Sequence, residues 1–289
     1  MKGILLVDKP SDWTSNDVVS KLRGMLREKR VGHAGTLDPM ATGLLTVFVG
    51  RATRAVEFAE GHDKRYIAGL RLGQTSDTQD VWGKCSQPQP VDISPAMLEA
   101  VLEQFCGEIM QIPPMYSAIK VKGQRLYDIA RKGGEVERQP RPVTVYSIDI
   151  IEGEGADWRL DIRCSKGTYV RTLCNDIGQA LGCGGCMSYL RRVQAGSFSL
   201  ESAYTLEDVQ RAAAEGRIEE LLIPVDRLFE SYPAHTVSLG QEARVKNGND
   251  IRFNGEEGLY RLYSQSGEFL AISRLEGSSL KTVKSFYEV

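Results

Sequence analysis

The 289-residue sequence is 42% hydrophobic and 26% charged, ordinary for a globular chain with one large core and a small second domain. No apolar run reaches the roughly 18 residues of a membrane helix, and "MKGILLVDKP" lacks the cleavage site of a signal peptide, so a cytoplasmic location is expected. A net charge of −2 and a pI of about 6.0 speak against a uniformly basic nucleic-acid binder, but the distribution does not. Residues 21–71 carry a balance of +5, residues 116–145 and 163–192 carry +4 each, and residues 197–230 carry −5. Three basic segments of this kind can fold into one phosphate-neutralising patch.

In chain order, "GILLV" reads as a buried strand ending at the Lys9-Pro10 turn. Thr14 or Ser15 then caps a helix whose apolar stripe is Val18, Val19, Leu22, Met25 and Leu26. "GHAGTLDPMATGLL" (32–45) is broken by three glycines and a proline, and its first half is expected to be neither helix nor strand. A strand over 44–50, a short helix from Arg51 and an alternating strand over 64–73 follow. "SPAMLEAVLEQFCGEI" (94–109) predicts a helix with Pro95 at its first position. "MYSAIKV" is expected to turn back at Lys122-Gly123, ahead of a helix in "RLYDIARKGG" that two glycines stop. "RPVTVYSIDIIEG" and "DWRLDIRCSKG" predict a hairpin, "TYVRTLCNDIGQALG" a helix, "CMSYLRRVQAGSFSL" a strand, and "TLEDVQRAAAEG" a helix capped by Thr205. From "HTVSLGQEARVKNGNDIRF" onward the texture is of short strands with Asn-Gly and Ser-Gly turns.

Without regular βαβ alternation, the expected class is α+β: a mixed, largely antiparallel sheet with flanking helices, plus a small β-rich C-terminal domain. The boundary is placed at 231/232, giving domains 1–231 and 232–289.

No P-loop, HExxH, GxSxG, EF-hand or dinucleotide fingerprint occurs. The six cysteines are expected to be free thiols, the Cys183/Cys186 pair included, and the three histidines do not cluster in sequence. Asp77 and Asp80 in "TSDTQD" are expected on a solvated turn rather than around a metal ion. No cofactor and no metal are expected, so the chemistry falls to carboxylate, tyrosine and arginine.

"GHAGTLDPMATG", "DKRYIAGLRLGQTSDTQD", "IPPMYSAIKVKGQRLYDIAR", "CSKGTYVRT" and "YLRR", in this order, closely resemble the TruB family of tRNA pseudouridine synthases from about Gly3 through Arg192. The tail resembles a PUA RNA-binding domain. The resemblance implies the pseudouridine synthase fold and an enzyme that isomerises uridine 55 in the tRNA T loop, breaking N1–C1′ and joining C5 to C1′. By position, Asp38 corresponds to the catalytic aspartate, Tyr66 to the tyrosine that stacks on the uracil and Arg171 to the arginine paired with the aspartate. Tyr169 and Leu190 correspond to further pocket positions, and His33 to the histidine that contacts the RNA near the vacated base. The implied partner is tRNA, gripped at its acceptor end by the tail, with no membrane and no obligatory protein partner.

Elementary physics fits these roles. A base in a folded loop must be flipped out at a cost of a few kcal/mol, and stacking on an aromatic face returns about 1–3 kcal/mol. A dry pocket disfavours an ionised carboxylate, which a doubly hydrogen-bonding guanidinium counters. Two other classes compete. A non-catalytic tRNA-binding or tRNA-folding protein would have no need of Asp38, and a glycosidase would need a second carboxylate linked to it. Whether Asp38 attacks C1′, attacks C6 or assists a glycal route stays open.

Overall fold

The computed structural model describes residues 1–117, 119–121 and 123–287. In chain order the elements are β1 (Gly3–Lys9), α1 (Ser15–Leu26), β2 (Val31–Ala34), β3 (Thr42–Val49), α2 (Val56–Glu60) and β4 (Lys64–Leu72). Next come α3 (Pro95–Leu102), β5 (Gly107–Gln111), β6 (Lys120–Val121), β7 (Gln124–Arg125), α4 (Leu126–Ala130), β8 (Arg141–Glu154) and β9 (Asp157–Cys164). Then follow α5 (Val170–Ala180), β10 (Gly185–Ala195), β11 (Phe198–Ser199), α6 (Leu206–Ala214), β12 (Ala234–Thr236) and α7 (Leu239–Lys246). The chain closes with β13 (Ile251–Arg252), β14 (Gly258–Tyr263), β15 (Phe269–Glu276) and β16 (Ser279–Ser285).

These elements form two units, one of Met1–Pro39, Leu44–Gly61 and Leu200–Val289, the other of Met40–Gly43 and His62–Ser199. In the first, Thr14 and Asp17 close a reciprocal capping box on α1, which presents Val18, Val19, Leu22 and Leu26 to one face. That stripe packs on Leu5 and Val7 of β1, Leu45, Val47 and Val49 of β3, and Leu206 and Val209 of α6. The C-terminal sheet, in the order β12-β14-β15-β16-β13, has its own apolar cluster, including Val237, Val245, Leu262, Leu270, Leu275 and Leu280.

An aromatic joint ties this sheet to the rest of its unit. The Phe229 ring meets Phe58 of α2 edge-on at 5.1 Å and lies 5.9 Å from Phe286 and 6.1 Å from Phe269. Around it Arg51 donates to the Tyr287 carbonyl, and Lys284 pairs with Glu57.

In the second unit the strands run β10-β4-β9-β8-β5, every neighbouring pair antiparallel. Thr42 and Gly43 add to β10 in parallel, opposite Arg191 and Arg192. Gly43 has φ +97°, and a Cβ there would stand 2.3 Å from the Arg192 carbonyl oxygen, so this approach requires glycine. The helix α5 packs on one face of β10, where Gly178 and Gly185 let the backbones touch. The expected α+β class with a largely antiparallel sheet and a small C-terminal sheet is what the structure shows.

Four local expectations change. Residues 31–34 form a strand despite Gly32, because β3 supplies an antiparallel ladder with His33 opposite Val47. The helix expected over 94–109 ends at Leu102; Gly107 takes φ +98° and the chain leaves as β5, paired with β8. Residues 239–246 are helical, not extended, because Ser238 and Gln241 form a capping box and Glu242 pairs with Lys246 at 2.8 Å. Asp80 is buried, as described below. At the expected 122–123 turn, β6 pairs with β7, and Lys122 lies outside the described residues.

Phe229→Ala should lower unfolding free energy by about 3–5 kcal/mol, read from denaturant midpoints. A loss below about 1 kcal/mol would show that the aromatic joint bears no weight.

Candidate active site

The carboxylate singled out in the sequence sits on a loop whose backbone is fastened from within the first unit. Lys9, at the end of β1, is 0% exposed. Its ammonium donates to the carbonyls of Pro10 at 2.8 Å, Trp13 at 2.6 Å and Pro39 at 3.0 Å. Three donors meet three acceptors, which is how an ammonium is tolerated out of water. Buried Ser15 fastens the other side: its Oγ accepts from the Leu37 amide at 2.9 Å and donates to the Leu37 carbonyl at 3.2 Å. The Asp12 amide also donates to the Pro39 carbonyl at 2.9 Å. Asp38 is therefore flanked on both sides by fixed residues, and its half-buried side chain projects from a loop with little backbone freedom. His33 is half-buried on β2, and strand alternation puts it on the face opposite Gly32, which looks toward Thr53 and Val56.

In the second unit, strand register brings the other candidates onto one face. On β4, residues 66, 68, 70 and 72 share a face, and Ala68 pairs with Leu190 of β10. Tyr66 and Leu190, both buried, therefore point the same way. Leu72 pairs with Gly185, which abuts α5, so this is the face that α5 covers.

Arg171 and Tyr169 come from the start of α5. The Tyr169 backbone is clamped by buried Gln111 of β5, which accepts from its amide at 2.8 Å and donates to its carbonyl at 3.1 Å. The Arg171 guanidinium carbon lies 5.9 Å from the Tyr169 ring centroid. Arg171 is 5% exposed, donates to the Tyr116 carbonyl, and has its Nη1 3.7 Å from Asp80 Oδ2.

Asp80 is the site residue that sequence reasoning misplaced. It is 1% exposed. It accepts from Thr78 Oγ1 at 2.7 Å and from the Trp82 amide at 3.1 Å. Its segment lies along β10, with the Met187 amide on the Gln79 carbonyl and the Val81 amide on the Met187 carbonyl, both 2.9 Å. Gln79, at φ +67°, also accepts from Thr172 of α5 at 2.7 Å. A polar run without periodicity gave no sign that β10 would offer an edge to it. Lys9 and Gln111 were likewise invisible, as each looks like the polar end of a strand.

The second unit thus gathers an aromatic ring, an aliphatic wall and a buried guanidinium with its own carboxylate partner, suited to holding a flat, uncharged heterocycle. The first unit supplies a fixed aspartate and a histidine. Among the described residues, no three His, Cys, Asp or Glu side chains converge as a metal centre would require, and all six cysteines are free thiols.

Comparison with known proteins agrees with this chemistry. Residues 23–170 match the TruB family pseudouridylate synthase N-terminal domain, and residues 171–230 match the tRNA pseudouridylate synthase B C-terminal domain. The tRNA pseudouridine synthase B of Salmonella arizonae is 41% identical over 286 residues, 95% of this chain and 91% of that protein. The enzyme of the same name from Escherichia coli strain K12 is 39% identical over 288 residues, 96% and 92% of the two chains. Among solved structures, an H/ACA RNP bound to a substrate RNA containing 2′-deoxyuridine aligns with a TM-score of 0.76 at 25% identity, covering 99% of this chain and 85% of that one. A Cbf5-Nop10-Gar1 complex aligns with a TM-score of 0.76 at 27% identity and the same coverage. The chain belongs to the TruB family of tRNA pseudouridine synthases and has that family's isomerase activity on RNA.

Proposed function

We propose that the enzyme isomerises uridine 55 in the T loop of tRNA, with Asp38 as the catalytic carboxylate. The observation that carries this reading is the fastening of the Asp38 loop by buried Lys9 and Ser15. A loop held on both sides of one aspartate is suited to presenting that carboxylate at a fixed point. The N1–C1′ bond breaks, the base turns, C5 joins C1′, and the proton lost from C5 is balanced by one gained at N1. Substrate and product are isomers, so the reaction needs no oxidant, and the uracil that leaves C1′ is the group that returns to it. Asp38 can serve as nucleophile at C1′, as nucleophile at C6, or as base in a glycal route.

The remaining residues hold the flipped nucleotide. Tyr66 stacks on the uracil, Leu190 and Tyr169 close apolar sides of its pocket, and His33 contacts the RNA where the base has left its stack. Arg171 keeps the Asp38 carboxylate ionised in a site that has lost its water. Asp80 and the Tyr116 carbonyl hold that guanidinium in place. The C-terminal segment 232–289 is a PUA-like module that grips the acceptor end, and the chain acts without a protein partner.

Purified protein alone, incubated with an unmodified tRNA transcript, should place pseudouridine at position 55, detected by pseudouridine-specific chemical labelling. Asp38→Asn should abolish product while tRNA affinity stays within a few-fold of wild type; turnover by the pure variant would remove Asp38 from the mechanism. Asp80→Asn removes one of the groups that hold the Arg171 guanidinium, and turnover should fall about 10²-fold with little change in tRNA affinity. An unchanged rate would show that Asp80 does not position Arg171.

A further inference from the structure

Two neighbouring contacts join the start of α5 to the segment that runs beside β10. Asp80 faces Arg171, and the residues next to them in the chain, Gln79 and Thr172, face each other. The contacts differ in kind. Arg171 Nη1 stands 3.7 Å from Asp80 Oδ2, beyond hydrogen-bond length, so this ion pair attracts without fixing a direction. Thr172, only 3% exposed, donates from its Oγ1 to Gln79 Oε1 at 2.7 Å, which is a directional bond of full strength.

Gln79 holds this place against its own backbone preference. Its φ is +67°, in the left-handed region that glycine and asparagine enter most easily. The turn itself does not need a glutamine. The Gln79 amide donates to the Ser76 carbonyl at 3.1 Å, and its carbonyl accepts from the Met187 amide at 2.9 Å, bonds that any residue but proline would make. Glycine or asparagine would close the same turn at lower cost, but neither side chain would reach Thr172. Strain kept beside a functional group argues that the strained side chain is used. Helix α5 is open to such a hold. Tyr169, its N-cap residue, makes no side-chain cap among the described residues, so the first turn takes its position from outside the helix. Gln111 grips the backbone of Tyr169, before Arg171 in the chain, and Gln79 grips Thr172, just after it.

We infer that Gln79 and Thr172 are positioning residues for the reaction: their bond sets where Arg171 stands, and the Asp80 charge then holds it there. The inference rests on the role proposed above for Arg171. Neither residue touches substrate; both act through the backbone that carries Arg171 and Asp80.

Gln79→Asn, Thr172→Val, Thr172→Ser and the double variant Gln79→Asn/Thr172→Val test this in single turnover on a tRNA transcript, with tRNA affinity and thermal midpoint measured alongside. Asparagine suits the left-handed turn but is one methylene shorter. Gln79→Asn should therefore keep or raise the midpoint while turnover falls about tenfold and affinity stays unchanged. Thr172→Val should slow by the same factor, and Thr172→Ser, which keeps the hydroxyl, should stay near wild type. Each single variant breaks the same bond, so the double variant should be no slower than the slower single one. A merely structural role would instead lower the midpoint of Gln79→Asn and spare the rate of the folded protein. Wild-type turnover by either Gln79→Asn or Thr172→Val, or losses that multiply in the double variant, would overturn the inference. Arg171→Lys separates the two readings. If it turns over at the wild-type rate, the role of Arg171 falls and this inference with it. If it is slow while Gln79→Asn and Thr172→Val are not, only the part given to Gln79 and Thr172 is refuted.

Discussion

The loop that carries Asp38 depends on one buried ammonium. Lys9 ends a strand of core residues and has no accessible surface, yet its three donors are taken by three backbone carbonyls. Two belong to the turn that leads into α1, and the third belongs to Pro39. One side chain thus fixes the exit of β1 and the backbone beside Asp38. Removing it would take this donor from the Pro10 and Trp13 carbonyls and leave the Pro39 carbonyl held by the Asp12 amide. Ser15, the first residue of α1, fastens Leu37 through both its amide and its carbonyl. The capping box on α1 thereby serves the site as well as the helix, because a frayed first turn would release Ser15.

The second unit solves a different problem, how to hold an arginine buried and correctly aimed. Rigid strands do most of this. The register of β4 against β10 puts Tyr66 and Leu190 on one face, and two touching glycines seat α5 close over it. Asp80 then meets Arg171 from a segment with no regular structure of its own, held by backbone bonds to Met187 and by Gln79 on Thr172. A buried pair of this kind adds little to stability against an apolar alternative, but losing one partner strands the other charge. Such a pair is suited to fixing orientation.

Much of this was legible in the sequence where local chemistry decides structure. The caps at Thr14 and Thr205, Pro95 at the start of α3 and the alternation of β4 and β9 were readable because neighbours within four residues set them. The α+β class followed from the order of those elements. Asp38, Tyr66, Tyr169, Arg171 and Leu190 were named by family resemblance, since no periodicity distinguishes a site tyrosine from a core one. What escaped was set by distant partners. The strand at 31–34 exists because β3 lies beside it, and Asp80 is buried because the edge of β10 accepts Gln79 and Val81. The helix at 239–246 is the exception: Ser238 and Gln241 spelled its cap, and the neighbouring turn residues hid it.

The most direct measurement is the single-turnover rate of Lys9→Met on tRNA, taken alongside tRNA affinity and circular dichroism. Methionine keeps the length and apolar stem of the side chain but donates to none of the Pro10, Trp13 and Pro39 carbonyls. If the ammonium fixes the position of Asp38, a folded variant should bind tRNA within a few-fold of wild type and react about 10²-fold more slowly. A folded variant that reacts at the wild-type rate would contradict the role given to Lys9.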